Sequence, residues 1–191
     1  AIPSGSGLDV SMGDGKFGHL SISLFGFMSP DQISAIASGT LTDVTDALTA
    51  AITYCTANVC DLIIPPSKSY VLSGSATLGI DVGKMALRCP GAAVFDCSAR
   101  TGGYVFQVYS SLSYPSSHYT NTINEISGIV LIGARSAEVN GLLVGHATNA
   151  NNGQTVFRNV SVRGFDTNLE FTHNSWRTVF YNFTCSYALT Y

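Results

Sequence analysis

The sequence has few charged residues and no long apolar run. Only 11% of the 191 residues are Asp, Glu, Lys or Arg, and the formal net charge is −3. The Lys and Arg residues are scattered along the chain, so no basic stripe exists to follow a phosphate backbone, and we expect no nucleic acid partner. The longest apolar runs, such as residues 129–132, are far shorter than the roughly 20 residues that a transmembrane helix needs. We therefore expect no membrane span.

Metal-binding patterns are also missing. The four histidines show neither HExxH nor HxH spacing, and the cysteines lack the CxxC spacing of zinc sites, so we expect no metal and no cofactor. The five cysteines are interpreted as small buried hydrophobes in a reduced compartment. The alternative is a disulfide, which would join Cys55 to Cys60 or Cys89 to Cys97, with Cys185 left over.

What the chain does have is a composition typical of an all-β protein. Hydrophobic residues make up 46% of it, and 19 glycines accompany many Ser, Thr and Asn residues, which favour uncharged polar turns. Residues 1–26 are rich in Gly and Ser and lack helical periodicity, so they are predicted to form a flexible lead-in.

Two helices are predicted between residues 27 and 56. Ser29, Pro30 and Gln32 form a capping box with Pro at the first helical position, and Gly39 supplies the stop of this short helix. A second helix is predicted over 43–55, started by Asp43, because apolar residues recur there at helical spacing on one face. We interpret this helix as a cap that covers the exposed end of a β-structure.

Short strands and an internal repeat follow over residues 57–191. Residues 157–165 align with 180–188 at an offset of 23, and residues 126–134 precede 157–165 by 31, with the polar stretch 147–153 absorbing the extra length. Repeats of this size with loop insertions predict an all-β solenoid. Asn159 falls on Asn182, so the two side chains either form a hydrogen-bonded ladder or open two tight turns independently.

Several motifs resemble those of a known family. Residues 43–52 (DVTDALTAAI) and 61–72 (DLIIPPSKSYVL) resemble the opening of pectate-lyase-like proteins, in which D-x-T-x-A-L-x-x-A-I precedes a strand and an I-P-x-G-x-Y turn. Residues 27–33 (FMSPDQI), Gly39-Thr40 and Gly164-Phe165 look more specifically like phage tailspikes and depolymerases. The chain departs from the pattern at residues 67–69, where Ser-Lys-Ser stands in place of the usual Gly.

This resemblance implies a right-handed, single-stranded parallel β-helix with an N-terminal capping α-helix. It also implies a homotrimer in a virion tail that binds and depolymerises a bacterial surface polysaccharide, a capsule or O-antigen. The alternatives are a non-catalytic glycan-binding or structural β-helix spike, and a secreted pectate lyase or glycanase. The chain stops without a polar closing turn, so we expect it to be a fragment whose coils continue beyond it.

The candidate site residues are two carboxylates, two aromatic residues and a histidine. If Leu169 points inward, strand alternation turns Glu170 outward, and Asp166 lies four residues earlier, so these two are the candidate catalytic carboxylates. Their spacing along a straight strand would be about 13 Å, which a turn could shorten. Trp176, His173 and Tyr181 are the candidate substrate-binding residues, with surface or core roles as the alternative.

Overall fold

A computed structural model of the chain describes residues 10–11, 17–18, 21–111, 125–146, 155–172 and 178–189. This part of the chain is mostly β-structure and holds two α-helices, Pro30–Ala37 (α1) and Thr45–Asn58 (α2), after a 3-10 helix at Leu24–Phe27. The strands are Val10–Ser11 (β1), Phe17–Gly18 (β2), Ser21–Ser23 (β3), Thr42–Asp43 (β4), Asp61–Ile63 (β5), Ser67–Val71 (β6), Leu78–Asp81 (β7), Leu87–Asp96 (β8), Gly103–Tyr109 (β9), Glu125–Ile132 (β10), Val139–Val144 (β11), Val156–Arg163 (β12), Leu169–Phe171 (β13) and Val179–Ser186 (β14).

Helix α1 forms as the sequence predicts. The Ser29 hydroxyl accepts a hydrogen bond from the Gln32 backbone N–H at 3.2 Å, and the Gln32 side chain accepts one from the Ser29 N–H at 2.9 Å. The helix ends before Gly39, whose φ of +80° is the left-handed conformation that glycine adopts without steric cost.

Helix α2 has the predicted apolar face but different ends. Asp43 lies in β4 rather than in the helix, and its carboxylate accepts a hydrogen bond from the Thr45 N–H at 2.9 Å. The helix runs on to Asn58, because the left-handed residue that ends it is Val59. The apolar face is buried and packs toward β5 and β7; it consists of Ala47, Leu48, Ala51, Ile52 and Cys55.

The predicted lead-in also has a different end. Within it, β1 and β2 pair antiparallel, and β3 joins the main sheet beside β5. Leu24, in the 3-10 helix, is fully buried. The ordered fold therefore includes residues 21–26, because Leu24 contributes to the core.

Two parallel sheets make up the body of the fold. In the large sheet the strand order is β14, β12, β10, β8, β5, β3, with β6 beside β8 and β4 beside β6. In the small sheet the order is β13, β11, β9, β7. From β6 onward the chain alternates between the two sheets, and each strand lies parallel to the strand reached one circuit earlier. Consecutive circuits are therefore stacked on one another.

The repeated residues of the sequence pair with one another in the register of the large sheet. Phe157 pairs with Phe180 across β12 and β14, and Ile126 pairs with Phe157 across β10 and β12. Equivalent side chains then form inward columns, in which Tyr70 stacks on Phe95 with ring centroids 5.2 Å apart. Burial of side chains of this size contributes roughly 1.5–3 kcal/mol each to stability.

A residue with left-handed backbone conformation (positive φ) recurs at one position in three successive strands of the large sheet, and we call this position the left-handed corner. Gly128, Asn159 and Asn182 have φ values of +70°, +54° and +50° and occupy equivalent positions in β10, β12 and β14. The Asn182 amide donates a hydrogen bond to the Asn159 side-chain oxygen at 2.9 Å. The predicted asparagine ladder is thus confirmed, and Asn suits the site because it tolerates positive φ better than most residues.

The five cysteines are all free, so neither disulfide of the alternative interpretation is present. Cys55, Cys60, Cys89 and Cys97 are buried, whereas Cys185 is exposed on β14. Across the ranges that the structure describes, no helix is long and apolar enough to cross a membrane.

Candidate active site on the small sheet

Glu170 lies on the outward side of the small sheet. Its neighbours in β13, Leu169 and Phe171, are in register with the buried residues Leu142 and Val144 of β11. Glu170 itself is in register with half-buried Leu143, and its side chain is exposed. The register thus agrees with the predicted alternation, although Phe171, which the prediction places inward, is 48% exposed in β13.

Tyr104, at the start of β9, holds the Glu170 carboxylate. The Tyr104 hydroxyl donates a short hydrogen bond to Glu170 Oε2. Burial, together with the hydrogen bond to the Glu170 carboxylate and the charge of that carboxylate, raises the pKa of Tyr104 to about 12. The phenol is consequently neutral at physiological pH and acts as a fixed donor that orients the carboxylate.

Further polar and aromatic groups belong to the neighbouring strands of the small sheet and the segment that follows β11. Gln107 shares the row of Leu143 and Glu170, and its amide donates to the Gly145 carbonyl at 2.8 Å. The Tyr109 and His146 rings lie 5.1 Å apart. We call Gln107, Tyr109, His146 and Glu170 the Glu170 face; it combines a carboxylate with an amide and two rings, groups that can contact sugar hydroxyls and pyranose C–H faces.

Asp166 lies in the bend before β13. Its Oδ2 accepts a hydrogen bond from the Glu138 backbone N–H at 3.2 Å, and Glu138 has a positive φ of 67°. The carboxylate thus holds the turn that leads into β11. The structure therefore gives different partners to the two predicted carboxylates, a phenol to Glu170 and a backbone amide to Asp166.

Tyr181 is half exposed on the outward side of β14, and Arg158 of β12 is its neighbour in register. The Arg158 guanidinium carbon lies 4.7 Å from the centre of the Tyr181 ring, which is a cation–π contact. The other two predicted binding residues, His173 and Trp176, lie outside the described residues. Of the three predicted binding residues, Tyr181 is therefore the one that the structure describes.

One cavity lies at the start of α2. It has a volume of about 550 Å³ and is lined in part by Gln32, Asp43, Asp46 and Ser73. Burial acts to raise the pKa of Asp43, but hydrogen bonds from Ser73 and Thr45 outweigh it and hold the pKa below its usual value. These bonds join β4 to the start of α2 and to the segment after β6, so we interpret Asp43 as structural. Among the residues that the structure describes, no group of three potential metal ligands is present.

Sequence reasoning missed Tyr104 as the partner of Glu170 and Arg158 as the partner of Tyr181. Tyr104 and Glu170 are 66 residues apart and belong to no common repeat, so no local signal joins them. Arg158 and Tyr181 are separated by the same 23 residues as Asn159 and Asn182. The repeat itself could therefore have located the second pair.

Comparison with known proteins gives one informative relative. No family model matches the chain. A curated protein of the Klebsiella phage vB_KpnP_KpV74, named as a depolymerase specific for capsule K2, is 35% identical over 166 residues. The match covers 84% of this chain but 28% of the relative, so the chain spans less than a third of that protein's length. The predicted resemblance to phage depolymerases is confirmed: this chain is a homologue of one part of a phage capsule depolymerase.

Proposed function

We propose that this chain is part of a phage tailspike that binds and depolymerises a bacterial surface polysaccharide, either capsule or O-antigen. The observation that carries the proposal is the 35% identity to the phage depolymerase over 84% of the chain. The exposed Glu170 carboxylate, bound by the Tyr104 hydroxyl, supports the same proposal, because cleavage of glycosidic bonds uses carboxylates. The proposal does not extend to the capsule type named for the relative, because the contacts between individual side chains and the sugar decide which sugar and linkage are recognised.

The fold that best accounts for the two sheets is a right-handed, single-stranded parallel β-helix. Alternation between sheets and parallel pairing of successive circuits support it. Crossovers between parallel strands of one sheet are right-handed in about 98% of proteins. In this proposal residues 27–56 form the N-terminal cap and residues 57–191 form coils of the β-helix. They follow a lead-in over residues 1–26, of which the last residues, 21–26, already pack on the fold.

Within this site we propose that Glu170 is the reacting carboxylate and that Tyr104 positions it. A carboxylate can act as general acid or base, or as nucleophile, and the fixed phenol limits its rotation. Asp166 is the candidate second carboxylate. Tyr181, with His173 and Trp176, is proposed to bind sugar outside the reacting bond.

The test is cleavage of host capsule or O-antigen by the full-length protein, followed through new reducing ends and through absorbance of unsaturated uronates. Reducing ends alone indicate a hydrolase, and both signals indicate a lyase. We expect Glu170→Gln to lower the rate by about 10²–10⁴-fold, the usual contribution of a general acid or base. Asp166→Asn is measured alongside it to test the second carboxylate.

Two further variants complete this experiment. Glu138→Gln is the matched control, because Glu138 is also exposed in the structure, and it should leave the rate unchanged. Tyr104→Phe should lower the rate less than Glu170→Gln while circular dichroism stays unchanged. Full activity in Glu170→Gln would refute the assignment of Glu170.

We propose that the assembled protein is a homotrimer in the virion tail, with secretion as the alternative location. Light scattering of the purified full-length protein and immunogold labelling of virions test these two statements. A monomer in solution would contradict the first, and unlabelled virions the second.

A non-catalytic glycan-binding spike is the second candidate function. It is favoured by the hydrogen bond that the Asp166 carboxylate accepts from the Glu138 backbone, because this bond gives Asp166 a role in holding a turn. In that case the polysaccharide would be retained by the protein with no new reducing ends.

A further inference from the structure

A row of alternating charges crosses the outward side of the large sheet. Arg88 lies 2.9 Å from Asp61 and 3.3 Å from Glu125, and Arg158 lies 3.3 Å from the other oxygen of Glu125. The row then ends at the ring of Tyr181. We call these five residues the charged row.

Among the four charged residues of the row, Asp61 is the least exposed and Arg158, beside Tyr181, is the most exposed. The Asp61 side chain is 2% exposed, Arg88 34%, Glu125 26% and Arg158 49%. Two carboxylates and two guanidinium groups balance one another, but the most accessible of the four charges is the positive one of Arg158. The row therefore presents a cation beside an aromatic ring to the solvent.

The Arg158 guanidinium retains unused donors. Its Nε–H donates to Glu125 at 3.3 Å, and within the described ranges neither terminal nitrogen makes a hydrogen bond or an ion pair. The planar fork of a guanidinium matches a carboxylate in a bidentate arrangement. Stacking on Tyr181 holds the fork in place, so less conformational freedom is lost when a ligand binds.

We propose that Arg158 and Tyr181 bind an acidic sugar residue, with its carboxylate on the Arg158 terminal nitrogens and its pyranose ring against Tyr181. This inference rests on the proposed function for the ligand being a saccharide, and it adds the charge of the sugar. A neutral sugar would use the ring but leave the donors of Arg158 to water. Isolated phosphate would use Arg158 without Tyr181.

The experiment measures binding of two matched probes to the full-length protein by saturation-transfer NMR. The probes are tetragalacturonic acid and its methyl ester, which share the same rings and differ in charge. We expect the acid to bind about tenfold more tightly, because a charge-assisted hydrogen bond contributes roughly that factor. Raising the salt concentration should reduce this difference.

Four variants assign the effect to residues. Arg158→Gln should abolish the preference for the acid, whereas Arg163→Gln, the same change farther along the outward side of β12, should preserve it. Tyr181→Leu should weaken both probes by about threefold to tenfold, and Tyr181→Phe should retain binding because the ring remains. Thermal unfolding of each variant controls for folding.

The outcomes separate this inference from the proposed function. Equal binding of both probes, no binding of either, or equal effects of Arg158→Gln and Arg163→Gln would overturn the acidic-sugar site. Cleavage of host polysaccharide, measured on the same samples, would then leave the proposed function standing. If host polysaccharide is neither bound nor cleaved while tetragalacturonate binding depends on Arg158, the proposed function fails and the site stands.

Discussion

Replacement of Gly128 by Ala tests the corner that stacks the circuits of the large sheet. Gly128 has a φ of +70°, and a β-carbon placed there would lie 2.2 Å from the Cys89 carbonyl oxygen and 3.0 Å from the Gly91 carbonyl oxygen. The conformation costs a non-glycine residue about 1–2 kcal/mol. Relieving the overlap shifts β8 against β10 and costs roughly a further 1–3 kcal/mol. We expect a total loss of about 2–5 kcal/mol in the free energy of unfolding.

Gly74→Ala is the matched control for this prediction. Gly74 also has a φ of +70°, but a β-carbon there would meet nothing within 4 Å. It should therefore lose only the conformational part, about 1–2 kcal/mol. Urea unfolding followed by circular dichroism measures both variants. Equal destabilisation of the two would refute the close approach of β8 and β10 at Gly128, and an unaffected Gly128→Ala would refute the left-handed corner as well.

Three further predictions concern the ladder, the thiols and the tyrosines. Asn182→Asp removes the amide donor of the ladder and should lower the free energy of unfolding by about 1 kcal/mol. Asn159→Asp keeps an acceptor oxygen and should change it by less than about 0.5 kcal/mol. Equal shifts in melting temperature for the two variants would contradict this. Burial raises the pKa values of all five thiols, but only Cys185 is exposed, so it alone should react with Ellman's reagent in the native protein and the other four after denaturation. A second fast thiol would refute this. The pKa values of Tyr70 and Tyr104 are raised, chiefly by burial, to about 12, above the value of 10 for an unfolded tyrosine. The stability that these neutral phenols contribute below pH 10 should therefore be lost as the pH rises from 10 to 12. Ultraviolet titration of the folded protein in which every tyrosine ionises near pH 10 would contradict this.

The repeat was the most informative pattern in the sequence. Stacked circuits bring equivalent positions into contact, so an offset of 23 residues between Asn159 and Asn182 predicted a hydrogen bond that the structure contains. The helix face of α2 was equally predictable, because its apolar residues recur at helical spacing. The helix ends were less so: Asp43 satisfies the helix from an adjoining strand, and Val59 adopts a left-handed conformation that β-branched residues rarely take.

The candidate site was predictable only in part. Alternation placed Glu170 on the outward side of its strand, and this depended on its two neighbours alone. Its partner Tyr104 lies two circuits away, on β9, and the separation between them depends on the length of every intervening loop. The prediction instead paired Glu170 with Asp166, the nearest carboxylate in sequence, which the structure shows in contact with the Glu138 backbone.

The sequence by itself determined the presence of two helices and the pairing of repeated strands in the large sheet, because the first follows from capping and apolar periodicity and the second from the repeat. Only the tertiary structure decided which side chains come into contact across circuits that contain different numbers of residues. Because the circuits differ in length, no constant sequence offset links residues that meet across them. The contact of Tyr104 with Glu170 and the ion pairs of the charged row from Asp61 to Arg158 therefore form only when the strands are stacked. Those contacts, rather than the repeat, give this surface its chemistry.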